Sequence, residues 1–380
     1  MQKRKSVAQT RKGAVRKRRR KILGLVVLLA LAIAVAASWQ YIALTTPALS
    51  RDYTLHLPTG GDIRTLRDSI ARGGASGGGA LGRGTPGGTS GNGALNGGAF
   101  RSPARMRLAM KLLRMDEHSY HPGAYRLTRG MSYLRVARIL KHGLQNPIKV
   151  TFNNQRSLAG LAGSLARQLE SDSAAFAAIF ADPATAARMG FSPQTFMVMF
   201  IPDTYELYWT TTPEAFVERM RKEYDRFWNA ERTAKLAGTG LTREQVITLA
   251  SIVYEETKMA DEMPKVAGVY MNRLHAGMPL QADPTIKFAV GDFTLKRILD
   301  RHLAVDSPYN TYKYPGLPPG PISMPSVRAI DAVLGYSRHN YLYFCARPDF
   351  SGYHDFSLTL AEHNHRAALY RQALDRAGIR

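Results

Sequence analysis

The sequence predicts an α+β protein with a single N-terminal transmembrane helix, a small α+β module and a larger domain. The larger domain is expected to have a helical core and a loop-rich, partly β C-terminal part. Three observations lead to this prediction. An unbroken apolar run lies near the N-terminus. Before residue 152, short alternating segments are interleaved with helical patterns. Helical patterns then dominate to about residue 277, where prolines become frequent.

The apolar run covers residues 22–44 and is long enough to cross a bilayer as a helix. Residues 1–21 contain eleven Lys and Arg and no acid, and this basic tail lies only on the N-terminal side of the run. The positive-inside rule therefore puts the tail in the cytoplasm and everything after Leu44 outside the cytoplasmic membrane. A cleaved signal peptide is the alternative, because Ala34, Val35 and Ala36 resemble a cleavage site. We favour an uncleaved anchor, since the run and its tail are longer than in most signal peptides.

Charge and cysteine content narrow the function classes. The net charge is +23, and an excess of twelve positive charges remains outside the tail. Such a balance suits an anionic membrane surface, an anionic polymer or nucleic acid, but export argues against nucleic acid. The single cysteine, Cys345, excludes an intramolecular disulfide and any zinc-finger spacing.

Residues 45–152 read as the small α+β module. The patterns predict a strand through Tyr53, Leu55 and Leu57, helices over 63–71, 106–113 and 131–140, a strand entered by the turn at 121–125, and a strand over 148–152. The tract 73–98 is half glycine and cannot bury a core, so we expect a flexible insert there.

Residues 153–380 form the predicted larger domain. Residues 156–240 are alanine-rich and read as helices broken by prolines. Two helices follow over 242–276, the second beginning near Pro264 and stopping at Gly277. After proline-rich loops, a strand over 341–344 is expected to form a hairpin with 354–357, and a closing helix covers 358–377.

The helix that begins at Thr242 carries the candidate catalytic residue. Thr242 and Gln245 form a capping box, and the helix should run to about Thr257. Its apolar stripe includes Leu249 and Val253, and Glu256 shares that stripe. Glu255 falls on the polar face, where we expect a solvated charge.

A carboxyl on an apolar face tends to stay protonated, as a general acid must. Glu256 is therefore a candidate acid. The alternative is structural: Glu256 could pair with a buried base such as Arg273 or accept from a backbone amide.

Other chemistry has little support in the sequence. There is no dinucleotide or P-loop glycine motif, no GxSxG and no HExxH. His363 and His365 are two apart in a predicted helix and do not face each other, so they do not suggest a metal site. Asp283 is the best second acid, although Asp before Pro is also a common turn former. Tyr, Asn and Gln at 281 and 309–312 are typical of carbohydrate binding.

From Phe200 to the C-terminus the chain resembles the endolytic murein transglycosylases, the YceG-like family. The resemblance rests on FIPDTYELYW (200–209), ASIVYEET (250–257), VAGVYMNRL (266–274), MPLQADPT (278–285), SPYNTY (307–312), GLPPGPIS (316–323), YLYF (341–344) and HDFSLTLAEHN (354–364). Two features depart from the family pattern. Tyr254 stands where many members have Glu, and the insert at 73–98 interrupts the module, which puts peptidoglycan binding by the module in question.

The resemblance implies a membrane-anchored lytic transglycosylase with a LysM-like module and a lysozyme-like catalytic domain. Such an enzyme cleaves nascent peptidoglycan strands internally and leaves 1,6-anhydro ends. It implies that Glu256 is catalytic and that the saccharide site includes Thr257, Gln281, Asp283, Tyr309, Asn310, Thr311 and Tyr312. No metal or organic cofactor is implied; the partners would be glycan strands and peptidoglycan synthases. A hydrolytic muramidase in which Asp283 positions a water, and an inactive wall-binding scaffold, remain alternatives.

Overall fold

The structure, a computed structural model, describes residues 2–71, 99–295 and 297–378, with side chains from Lys21 onward. The glycine-rich insert expected at 73–98 lies outside the described residues. Contacts divide the chain into an N-terminal unit, Met1–Pro147, and a C-terminal unit, Ile148–Arg380.

The N-terminal unit begins with one long helix, α1 (Gln2–Thr45). Its part Lys21–Thr45 is long and apolar enough to cross a membrane, and the apolar 18-residue stretch within it is not buried. At its end Leu44 is buried and joins the core of the unit. The apolar run is thus helical, as the sequence predicts.

The rest of the N-terminal unit is a two-stranded sheet with three helices. Its elements are β1 (Tyr53–Leu57), α2 (Ile63–Ala71), α3 (Pro103–Leu112), β2 (Gly123–Leu127) and α4 (Tyr133–Lys141). β1 pairs antiparallel with β2, so that Tyr53 lies opposite Leu127. Ser102 and Ser132 begin α3 and α4 by accepting the backbone amides of Arg105 and Arg135. The elements follow the predicted order.

The C-terminal unit is mainly helical with two separate strand pairs. Its elements are β3 (Ile148–Phe152), α5 (Leu158–Ala166), α6 (Ser173–Ala181), α7 (Pro183–Arg188), β4 (Asp203–Leu207), α8 (Pro213–Phe227), α9 (Ala230–Ala237), α10 (Arg243–Glu256), α11 (Met263–His275), α12 (Asp283–Val290), α13 (Asp300–Leu303), α14 (Val327–Leu334), β5 (Tyr343–Ala346), β6 (His354–Ser357) and α15 (Leu360–Arg376). The predicted hairpin of β5 with β6 forms, with Tyr343 opposite Ser357.

The sheet of β3 and β4 differs from the sequence prediction. β3 pairs antiparallel with β4, placing Ile148 opposite Leu207 and Phe152 opposite Asp203. The strand over 148–152 therefore belongs to the C-terminal unit, and the boundary lies before Ile148 rather than after residue 152. β4 itself lies within residues 156–240, which the sequence predicts to be mostly helical. Pairing across about fifty residues of chain leaves no local signal, which explains the difference.

Helix α10 is the centre of the C-terminal unit and packs against α11 and α14. The capping box of Thr242 and Gln245 forms as predicted. The face expected to be polar is also covered: Ser251 is fully buried, and its hydroxyl accepts the backbone amide of Ile322 at 3.0 Å. Further along that face Glu255 forms an ion pair with Arg156 at 3.5 Å, so it is not the freely solvated charge we expected.

Candidate active site

Glu256 is the last residue of α10, where the buried helix meets the surface. The following residue, Thr257, has extended backbone angles (φ −136°, ψ 143°) and ends the helix. The apolar residues that precede Glu256 on its stripe, Leu249, Ile252 and Val253, are fully buried. The Glu256 side chain keeps partial exposure. A carboxyl is thus placed at the edge of an apolar core with access to the surface.

A buried tyrosine on the neighbouring helix holds this carboxyl. The Tyr270 hydroxyl, on α11, donates to Glu256 Oε1 at 2.7 Å. Burial and the Glu256 charge raise the pKa of Tyr270 well above its ordinary value, so the phenol keeps its proton and acts as a donor. This bond fixes one carboxyl oxygen and leaves the other for a reacting group.

The surroundings raise the pKa of Glu256 to about 7. Burial is the main cause, and the negative charge of Asp283 adds to it. The Tyr270 hydrogen bond and the positive charges of Lys287 and Arg273 act in the opposite direction. A carboxyl with such a pKa is present in both protonation states near neutral pH and can give and take a proton.

Arg273 does not form the structural ion pair considered as the alternative role for Glu256. Its guanidinium donates to the carbonyls of Leu342 (2.7 Å), Leu280 (2.9 Å) and Pro279 (3.2 Å) and to the side-chain oxygen of Gln281 (3.1 Å). Arg273 therefore fixes the segment that leads to Gln281, and it reaches Glu256 only as a distant charge.

A second pair of groups, Asp283 and Tyr312, faces the same site. Asp283 is the first residue of α12, and its Oδ1 accepts the Tyr312 hydroxyl at 2.5 Å. Burial and the Asp283 charge raise the pKa of Tyr312, and the charge of Glu256 contributes as well. The Asp283 charge acts on Glu256, and the Glu256 charge acts on Tyr312, so the structure brings the three groups near one another.

Gln281 and Thr311 shape the segment before α12. Gln281 has a left-handed backbone (φ 53°), and its amide donates to the carbonyl of Thr311 at 3.0 Å. The Thr311 side chain is buried; its hydroxyl accepts the amide of Ala282 at 3.0 Å and contacts the hydroxyl of Thr285 at 2.8 Å. Gln281 is exposed and can meet a ligand, whereas the Thr311 side chain bonds to groups inside the protein. That Thr311 lines the saccharide groove stays a prediction.

Asn310 is a further correction to the predicted saccharide site. Its side chain is fully buried, and its amide donates to the carbonyls of Leu303 and Val305, both at 2.8 Å. Its oxygen accepts the backbone amides of Tyr312 (3.0 Å) and Lys313 (3.2 Å). All its hydrogen-bonding capacity is used within the loop, so it positions Tyr312 and cannot donate to a sugar in this arrangement.

Thr257 and Tyr309, two further residues of the predicted saccharide site, differ in burial. Thr257 is buried, and its hydroxyl donates to Glu262 at 3.1 Å and accepts the amide of Met259 at 3.1 Å, which fixes the connection from α10 to α11. Tyr309 is half-buried with its ring centroid 4.6 Å from that of Phe288. The Thr257 side chain thus makes its hydrogen bonds inside the protein, and its contact with substrate stays a prediction.

Tyr254 lies apart from this group of residues. It lines a cavity of about 620 Å³ together with Lys258 and Arg328, and Glu256 does not line that cavity. The Tyr found where many relatives of the resembled family have Glu is therefore not part of the group around Glu256.

The sequence reasoning missed Tyr270. Its signal was present: Tyr270 lies four residues after Val266 on the apolar face of α11, and a buried phenol requires a hydrogen-bond partner. Only the packing of α11 against α10 identifies that partner as Glu256.

Comparison with known proteins places the chain in a family. The sequence pattern described as the YceG-like family matches residues 92–368, which is most of the chain. The chain belongs to the YceG-like family. The match includes Glu256, Tyr270, Asp283 and Tyr312.

Two named relatives and one solved structure add to the family match. The chain is 36% identical over 154 residues to an endolytic murein transglycosylase of Bacillus subtilis, covering 40% of this chain and 42% of that protein. It is 34% identical over 149 residues to an endolytic murein transglycosylase of Streptococcus pneumoniae, covering 38% of this chain and 27% of that protein. The chain thus spans less than half the length of these curated relatives. A crystal structure of a YceG-like protein from Listeria monocytogenes aligns with a TM-score of 0.50 and 26% identity, covering 83% of this chain and 99% of that chain.

Proposed function

We propose that this chain is an endolytic lytic transglycosylase of peptidoglycan. It would cut the bond between N-acetylmuramic acid and N-acetylglucosamine within glycan strands and leave a 1,6-anhydro ring. The observation that carries the proposal is the Glu256 carboxyl, which has a pKa of about 7 and is held by Tyr270. The relatives named endolytic murein transglycosylase support the substrate class.

In the proposed mechanism one carboxyl acts twice. Neutral Glu256 donates its proton to the glycosidic oxygen as the bond from that oxygen to muramic C1 breaks. The carboxylate that results is stabilised by the Tyr270 hydroxyl. It then takes the proton from the muramic 6-hydroxyl while that oxygen bonds to C1 and closes the anhydro ring. The sugar provides its own nucleophile, so glutamate ends protonated and no water is consumed.

Asp283, Tyr312 and Gln281 are the proposed groove residues. The Asp283 charge helps to keep the proton on Glu256 before reaction, since it raises the pKa of that carboxyl. Tyr312 and the exposed Gln281 can offer hydrogen bonds to a sugar, whereas Thr257, Asn310, Thr311 and Tyr309 support the site from behind. Each of these roles is a proposal that follows from exposure and hydrogen-bond partners.

Asp283 also favours a second candidate, a hydrolytic muramidase on the same scaffold. Glycosidases that use water carry two carboxyl groups at the scissile bond, and the charge of Asp283 acts on Glu256. In that reaction Asp283 would position a water, and the product would keep a reducing end.

We further propose that α1 anchors the enzyme in the cytoplasmic membrane, with the basic tail in the cytoplasm and the C-terminal unit facing the wall. The apolar length of Lys21–Thr45 supports a membrane span, and the one-sided charge of residues 1–21 supports its orientation. The strand–helix–helix–strand order of the N-terminal unit suits a LysM-like module. Peptidoglycan synthases are candidate partners.

The test is digestion of purified glycan strands by the full chain in a neutral detergent, followed by product masses. Transglycosylation predicts products that lack the water found in hydrolysis products, and the Glu256→Gln variant should give none. Masses with added water would establish the muramidase instead. Absence of cleavage by the folded chain would leave a wall-binding scaffold.

A further inference from the structure

A cavity of about 490 Å³ lies in the N-terminal unit where α1 ends. Its lining residues are Thr46, Pro47, Arg101, Ser102, Arg105 and Tyr133. None of these belongs to the candidate active site, and among the described residues no acidic side chain lines the cavity. The cavity is therefore a separate site with a cationic lining.

The end of α1 fixes the position of this cavity. Thr46 and Pro47 follow α1 directly, and Leu44, in the last turn, is buried in the core of the unit. Trp39 and Tyr41 are exposed on the same end of the helix. From Trp39 to Thr45 the helix rises by about 9 Å. If α1 spans the membrane as proposed, its aromatic residues mark the interface and the cavity lies at the level of the lipid headgroups.

The two arginines bring uncompensated positive charge to the cavity. Every ion pair between described residues lies in the C-terminal unit. Among the described residues, neither Arg101 nor Arg105 therefore forms an ion pair with a carboxylate. Arg101 Nε donates to the carbonyl of Leu49 at 3.0 Å, which orients its guanidinium. Both charges act on the buried Tyr133 hydroxyl: they lower its pKa, while burial, the larger effect, raises it.

Further features favour an anion in this cavity. Ser102 begins α3, so the positive end of the helix dipole faces the same side. Residues 99–147 contain ten Lys and Arg and two acids, so this part of the unit carries a net positive charge that attracts anions. Guanidinium groups bind phosphate oxygens through paired hydrogen bonds. A cationic headgroup would be repelled.

We propose that this cavity binds the phosphate of an anionic phospholipid headgroup and so holds the N-terminal unit against the outer face of the membrane. The proposal rests on the membrane anchor proposed above and is independent of the glycan chemistry. Both a phospholipid and the free phosphate ion carry a phosphate group that could bind here. We favour the lipid because the cavity lies at the end of α1, next to the proposed membrane span.

The experiment titrates the full chain, purified in a neutral detergent, with short-chain phosphatidylglycerol and follows the heat of binding. Parallel titrations use short-chain phosphatidylcholine and inorganic phosphate. We expect saturable binding of phosphatidylglycerol at one site, and binding at least about tenfold weaker for the other two ligands.

Arg105→Gln is the test variant, because the Arg105 side chain is exposed, lines the cavity and makes no ion pair in the described part of the chain. Arg107→Gln is the matched control: it removes the same charge two residues along α3, away from the cavity. Arg105→Gln should weaken phosphatidylglycerol binding about tenfold, since one charge-assisted contact is lost, and Arg107→Gln less than about twofold.

Three results would overturn the proposal. Equal losses in the two variants would show attraction by diffuse charge. If phosphatidylcholine binds as tightly as phosphatidylglycerol, the cavity does not require an anionic headgroup. If inorganic phosphate binds as tightly as phosphatidylglycerol, the cavity is a site for the free ion and not for a lipid. Glu256→Gln should bind the lipid normally, and Arg105→Gln should still cleave glycan strands. Failure of the lipid site is thereby separated from failure of the proposed enzyme activity.

Discussion

Replacing Glu256 by Gln removes the titrating proton and keeps the size of the side chain. In the wild type the Tyr270 hydroxyl donates to Glu256 Oε1 at 2.7 Å. In the variant the amide oxygen of Gln can still accept this hydrogen bond. If Glu256 acts as acid and then as base, two contributions are lost, each worth about 10² to 10⁴ in rate. Strand cleavage should therefore fall below detection.

The same substitution should stabilise the protein at alkaline pH. The pKa of Glu256 is raised from 4.5 to about 7, so ionising it in the folded state destabilises the wild type by about 3 kcal/mol once the pH exceeds 7. Stability falls as the pH rises because the folded protein favours the neutral form of this carboxyl. The penalty is absent below pH 4.5, grows as the pH rises through the interval to 7, and is then constant. The Gln side chain does not ionise, so the variant does not carry this penalty.

The assay is thermal unfolding of both proteins at pH 8 and pH 4.5, together with strand cleavage. At pH 8 the Gln variant should melt higher by roughly 6–12 °C, given 2–4 °C per kcal/mol for a unit of this size, and at pH 4.5 the difference should nearly vanish. Glu255→Gln is the matched control; it loses an ion pair with Arg156 at the edge of the core and should keep most activity. The reasoning is refuted if Glu256→Gln cleaves normally, or melts lower at pH 8.

The remaining predictions concern the groups around Glu256 and the topology. Tyr270→Phe removes a hydrogen bond that lowers the pKa of Glu256, so the alkaline limb of the cleavage profile should move above pH 7; an unmoved limb would contradict this role. Asn310→Ala removes the hydrogen bonds from this side chain to the part-buried carbonyls of Leu303 and Val305 and should lose about 2–4 kcal/mol in denaturant unfolding, whereas Tyr312→Phe should mainly lower cleavage. A reporter fused after Arg380 should be extracytoplasmic, and a mature chain starting near residue 37 would exclude the anchor.

Several local elements and the main catalytic candidate could be predicted from the sequence alone. Thr242 and Gln245 mark the start of α10 because a capping box depends on residues only three apart. The alternation through Tyr53, Leu55 and Leu57 marks β1 for a similar reason. Glu256 was distinguished from Glu255 by helical periodicity alone, since one carboxyl shares the apolar stripe and the other does not.

The tertiary structure decided everything that depends on residues far apart in the chain. It paired β3 with β4, placed Tyr270 on Glu256, and covered Ser251 with the backbone at Ile322. It also turned the Asn310 side chain inward, where it forms hydrogen bonds with four backbone groups, although a sugar-binding Asn on the surface looks the same in the sequence. Local patterns report which residues can be buried together, but the partner of a buried polar group is chosen by packing. Packing also buries Glu256, which raises its pKa, and places Tyr270 on it, which lowers that pKa.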